Sequence, residues 1–90
     1  MEKGAFIIDV RTPSEYEELH IKGSINIPVD QIKDRLVEVV QNYGAKIIFY
    51  CSKGVRSQTA LEEALELGFE NVYNLRSIND WPYEKVSGKE

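Results

Sequence analysis

Ninety residues with a net charge of −4 leave room for one hydrophobic core, and the dispersed basic residues argue against nucleic acid or an anionic membrane as the main partner. Apolar content of 42% beside 29% charged residues is that of a globular domain, and no stretch approaches the roughly 20 apolar residues that a membrane span needs. A single cysteine, Cys51, and a single histidine, His20, allow neither an internal disulfide nor a zinc constellation.

In chain order, Met1 to Phe6 carries no long apolar stretch, so no signal peptide is expected. A reducing, cytoplasmic setting that keeps Cys51 free is the matching expectation. Phe6-Ile7-Ile8 reads as a buried strand running into Asp9-Val10-Arg11. Thr12-Pro13-Ser14-Glu15 opens a short helix: Thr as N-cap, Pro at the first helical position and Glu three residues on form a capping box. Ile25-Asn26-Ile27 is a brief strand closed by Pro28. Asp30 is read as the N-cap of a second helix with Ile32, Leu36, Val39 and Val40 on one face, ending near Gly44. Ile47 to Tyr50 is the central strand. Ser57 is read as the cap of a third helix with Ala60, Leu61, Ala64 and Leu65 inward and Gly68 at its C-terminus. Val72 to Leu75 is the last strand, and beyond Trp81 the chain turns polar. One domain spans 1–90, with 1–5 and 84–90 expected to fray. Short apolar strands alternating with helices predict an α/β domain, a mainly parallel sheet of four to five strands with helices on both faces.

In such sheets ligands bind outside the carboxyl ends of the strands. Cys51 lies at one such end and Asp9-Val10-Arg11 at another. After Cys51 come Ser52, Lys53, Gly54, Val55, Arg56 and Ser57: a short cationic turn leading into a helix. Helix-end amides and nearby positive charge stabilise a thiolate. If the turn curls over the sulfur, its N–H groups form an anion-binding nest, and Gly54 supplies the dihedral freedom this requires. Arg56 offers a planar fork that either ties the loop down or grips an oxyanion. The competing reading of Cys51 is a structural core thiol, with Lys53 and Arg56 merely solvated.

Cys-x-x-Gly-x-Arg-Ser after an apolar strand resembles the active-site loop of the rhodanese family, the thiosulfate and persulfide sulfurtransferases. Ile8-Asp9-Val10-Arg11 with Glu15-Tyr16, the run His20 to Pro28, and Gly68 to Leu75 leading to Trp81 resemble further segments of that family, so the likeness extends from Ile7 to Trp81. The resemblance implies a three-layer rhodanese-like domain and a two-step reaction that needs no cofactor or metal. Cys51 would take a sulfane sulfur from thiosulfate or a persulfide and pass it to cyanide, a thiol, or a sulfur-relay or thioredoxin-like protein. Lys53 and Arg56 are then expected to attract the anionic donor. Asp9 and Arg11 are read as scaffold, Arg11 pairing with a carboxylate such as Glu15, whose own role is read as capping. His20 is read as a structural tether.

Two departures stand out. Leu19 occupies a position where the family usually has Gly, implying a different helix ending or backbone strain. Arg76-Ser77 stands where the family usually has Gly-Gly, so Arg76 either adds a cation at the site's mouth or points away. The N-terminus is also short for the family, which leaves a sheet edge open to a partner or a second copy. Two other functions compete with sulfur transfer. A phosphatase or arsenate reductase of related fold carries a loop one residue longer between Cys and Arg than the four residues here. A non-catalytic binding module of this type typically lacks the cysteine.

Overall fold

The computed structural model describes residues 4–88. Strand β1 (Ala5–Asp9) is followed by helix α1 (Pro13–Glu18), the two-residue strands β2 (His20–Ile21) and β3 (Ile25–Asn26), and helix α2 (Ile32–Val39). Strand β4 (Lys46–Cys51), helix α3 (Val55–Leu67), strand β5 (Val72–Ser77) and the short strand β6 (Lys85–Val86) complete the order. Strands β3, β1, β4 and β5 lie side by side in that order, all parallel. A parallel sheet is buried on both faces, which is why β4 reads as a near-continuous apolar run. Its alternate residues diverge: Ile47, Phe49 and Cys51 point to one face and Tyr50 to the other.

The first face is the thick one. Ile8, Val10, Ile47 and Phe49 pack against Ile32 and Leu36 of α2, Ala60 and Ala64 of α3, and Phe69 beyond it. Each large side chain taken out of water there contributes about 1.5–3 kcal/mol. The other face carries shorter elements. Ile7, Ile21, Tyr50 and Ile78 form a small cluster, flanked by Leu75 and Trp81. The Tyr50 hydroxyl is satisfied in that cluster, accepting from the Ile21 amide at 3.1 Å and lying 3.0 Å from Ser24 Oγ.

The Thr12 capping box forms as read, with Thr12 Oγ1 accepting from the Glu15 amide and Glu15 Oε1 from the Thr12 amide. Four expectations are corrected. Asp30 does not cap α2: it sits inside a 3₁₀ turn, Val29–Gln31, that follows Pro28, and no side chain caps the helix. That helix stops at Val39, because Val40 turns extended and carries its side chain into the core. Ser57 lies within the first turn of α3; the N-cap is Gly54, in the left-handed region at φ 94°. Leu65 is half exposed, since Ser57, Ala60 and Ala64 already define the buried stripe and Leu65 falls a quarter-turn off it.

The C-terminal stretch carries one further short strand and its bonds. Lys85 and Val86 pair antiparallel with Ile21 and His20, Lys22 donates to the Glu84 carbonyl, and Gly88 donates to the Glu17 carbonyl. Ala5 likewise belongs to β1. The remaining tail positions, 1–3 and 89–90, lie outside the described residues.

Candidate active site

Cys51 ends β4, the sheet's most buried strand, and α3 begins four residues later. The turn between them needs a residue with positive φ at its last position. Gly54 provides it, and a Cβ there would stand 3.1 Å from the Cβ of Arg76. In this geometry the Gly54 amide donates to Cys51 Sγ at 2.9 Å, and Ser57 Oγ lies 3.4 Å from the sulfur. Burial pushes the Cys51 thiol up, but Ser57 Oγ and the amides of Ser57, Lys53 and Gly54 outweigh it and hold the thiol below its ordinary range. The side chain of Cys51 is only 1% exposed, so the sulfur forms a floor rather than a protrusion.

Ser57 is tied in turn to Asn74 on β5, a residue the sequence reading passed over. Its hydroxyl donates to Asn74 Oδ1 at 2.7 Å, and the same oxygen accepts from the Arg76 amide at 2.8 Å. Asn74 Nδ2 donates to the Gly54 carbonyl at 3.4 Å and to Gln58 Oε1 at 3.2 Å. Backbone groups thus fix which end of the amide is oxygen: an amide N–H can only donate and a carbonyl can only accept. The available signal was an Asn set between Val72, Tyr73 and Leu75 in a strand, a type depleted there unless its side chain has a task.

Arg56 resolves as the loop's tether. Its guanidinium makes a bidentate pair with Glu15, 2.8 Å to Oε1 and 3.1 Å to Oε2. The Arg56 bond, reinforced by the Thr12 amide, holds the Glu15 carboxyl at about 2. Ser52 Oγ lies 3.5 Å from both Glu15 Oε2 and Arg56 Nη2. Glu15 therefore does more than cap α1, and it is not the partner of Arg11. That partner is Asp9: Arg11 Nη2 lies 2.6 Å from Oδ2, and the Arg11 amide donates to Oδ1 at 2.9 Å. The pair is buried, with the guanidinium 5.5 Å from the Tyr50 ring centre, and Arg11 also donates to the Leu19 carbonyl. Asp9 and Arg11 brace the end of β1.

Leu19 ends α1 in extended geometry, φ −166°, so it replaces a left-handed turn by a different ending. His20 stacks on the Tyr16 ring with centroids 3.7 Å apart, and its Nδ1 lies 2.7 Å from the Tyr16 carbonyl. Arg76 does take the left-handed region, at φ 79°, alone among the non-glycine described residues. It sits just past an irregularity in the β4–β5 register, where Phe49 faces Asn74 and Tyr50 faces Arg76. Its exposed side chain lines a shallow cleft with Lys53, Gly54 and Asn74.

The sulfur itself underlies a neighbouring cleft of about 390 Å³, lined by Glu15, Cys51, Ser52, Lys53, Val55 and Arg56. Loop residues 51–56 and Ser57 are thus gathered at one place and Arg76 at its edge. Asp9 and Arg11 stand behind it. Chemically this is a recessed sulfur with inward-pointing amide donors, suited to hold negative charge on sulfur.

Comparison with known proteins points the same way. A model of the rhodanese-like domain matches residues 1–82. Thiosulfate sulfurtransferase PspE of Escherichia coli (strain K12) is 36% identical over 81 residues, which cover 90% of this chain and 78% of that protein. The tRNA uridine(34) hydroxylase of Erwinia tasmaniensis is 35% identical over 75 residues, 79% of this chain but only 21% of that much longer protein. A solved structure of a rhodanese with anions from E. coli superposes with a TM-score of 0.90 at 34% identity, covering 93% of this chain and 99% of that one.

Proposed function

Because this chain belongs to the rhodanese-like domain family, we propose that it is a sulfurtransferase carrying a sulfane sulfur as a persulfide on Cys51. The observation that carries this reading is the Gly54 amide aimed at Cys51 Sγ from 2.9 Å, in a turn whose other amides also lower the thiol's pKa. The Cys51 thiolate attacks the terminal sulfur of thiosulfate or of a persulfide, and the old S–S bond breaks with its electron pair leaving on sulfite or a thiolate. The amides of Lys53, Gly54 and Ser57 then hold the charge of the new persulfide, and a thiophilic acceptor (cyanide, a thiol or a carrier protein) removes the outer sulfur. Lys53 draws the anion in, Ser52 and Val55 form the walls, Arg56 keeps the loop curled, and Arg76 borders the mouth. A reducing, cytoplasmic setting suits a lone thiol that must stay unoxidised. The four-residue spacing from Cys51 to Arg56 favours this chemistry over phosphoryl or arsenyl transfer.

Intact mass after incubation with excess sulfane donor tests it. The expected result is a gain of one sulfur atom that reductant removes and that Cys51→Ser abolishes, with little change in melting temperature because the replacement is nearly isosteric. A folded protein that gains no sulfur would instead be a rhodanese-like module that binds a partner.

A further inference from the structure

The cleft over Cys51 carries charges of both signs. Its lining brings two cations, Lys53 and Arg56, and one carboxylate, Glu15, which faces the same space as the sulfur. Glu15 is locked in that place: both its oxygens take Arg56, and one also takes the Thr12 amide at 3.0 Å. Arg56 thereby has its planar fork filled by a residue of the protein. Once Cys51 ionises, the four charges of the cleft cancel. A dianion entering it meets one exposed lysine with no ion pair among the described residues, and a fixed carboxylate.

We infer that the Glu15–Arg56 pair removes the preference for dianionic thiosulfate that a net cationic cleft would have, so that sulfane donors carrying one negative charge, such as persulfides and thiosulfonates, compete with it on equal electrostatic terms. The inference rests on the sulfur-transfer role proposed above. The loading step is the same for each donor. The thiolate attacks the terminal sulfur, the Cys51–sulfur bond forms as the donor's bond breaks, and the electron pair leaves on sulfite, on a sulfinate or on a thiolate. Cyanide then takes the outer sulfur as thiocyanate and returns the thiolate. Charge balances throughout, so the donors differ in the charge they bring into the cleft as well as in intrinsic reactivity. A ratio of ratios removes the second difference.

Glu15→Gln is the informative variant, because Gln also serves in a capping box and keeps an oxygen for Arg56 while removing the charge. Thiocyanate formation is measured with thiosulfate and with methanethiosulfonate, a monoanion, for both proteins. The expected result is that the variant's kcat/KM rises for thiosulfate by roughly three- to tenfold more than for methanethiosulfonate, an advantage that fades in high salt. Equal gains, or none, for the two donors would overturn the charge-balance inference while leaving sulfur transfer intact. Should neither donor load sulfur onto Cys51 of the unmodified protein by mass, the functional reading falls and this one with it. A second measurement needs no variant: kcat/KM of the unmodified protein for thiosulfate should vary little with salt. A steep fall with salt, the mark of a net cationic cleft, would overturn the inference.

Discussion

Ser57 has one proton and two acceptors competing for it. The proton goes to Asn74 Oδ1 at 2.7 Å, so at rest the Ser57 oxygen can only accept from the Cys51 thiol, 3.4 Å away. When the thiol ionises, the hydroxyl must turn toward sulfur, and Asn74 Oδ1 keeps the Arg76 amide as its donor. Asn74 is thus a positioning residue that biases the hydroxyl away from the thiolate. Asn74→Ala should release the hydroxyl and make Cys51 react with iodoacetamide about three- to tenfold faster at neutral pH, the effect of one extra hydrogen bond to a charged acceptor. The gain should vanish when Ser57→Ala is combined with it. An equal gain in both backgrounds would mean Asn74 acts by bracing the loop through Gly54, not through the hydroxyl. With a single cysteine in the chain, the alkylation rate reports this sulfur alone.

At the level of elements, α1 and the Cys51 loop are joined through Glu15, which pairs with Arg56 across 41 residues of sequence and lies 3.5 Å from Ser52 Oγ. The Glu15 carboxyl sits at about 2 in the fold against about 4.3 in an unfolded chain. A depressed carboxylate stabilises the fold above its unfolded value and loses that contribution as pH falls toward its folded value. Urea midpoints should therefore drop more for the native sequence than for Glu15→Gln between about pH 5 and about pH 2.5. Parallel curves would show that the pair, about a third exposed at both partners, contributes nothing to stability. The same residue shows what a sequence makes legible. The capping half of Glu15 is a contact three residues long and was readable; the Arg56 half depends on where the fold brings α1 and the first turn of α3. The loop after Cys51 was legible because a strand end, a glycine and a helix start are all local signals. β6 was not, since two residues carry no periodicity and their pairing with β2 is set by distant contacts. Asp30 misled for a related reason: an acid before an apolar run is a cap only if the preceding turn leaves it outside, and the turn after Pro28 takes it inside.

Taken whole, the molecule is a sheet with two unequal coats. Cys51 belongs to the thick side with α2 and α3, whereas Trp81 closes the thin side over Ile7, Ile21, Tyr50 and Ile78. A chain of this size buries only about 60% of its unfolded surface, so neither coat is dispensable. The division also separates stability from chemistry. Trp81→Ala should uncover the thin cluster and destabilise the protein by about 2–4 kcal/mol, somewhat below a fully buried Trp because the ring is only partly buried. For a domain this small that is a fall in Tm of roughly 10 °C or more. Below the new Tm, kcat/KM for sulfur transfer should stay within about twofold, because the variant leaves the loop and α3 packed as before and meets β4 only through Tyr50, on the face opposite Cys51. Calorimetry and thiocyanate formation on the same sample check both halves. A large loss of activity in protein still folded would show that the thin face supports the loop through the sheet, and would make Trp81 part of the site's support.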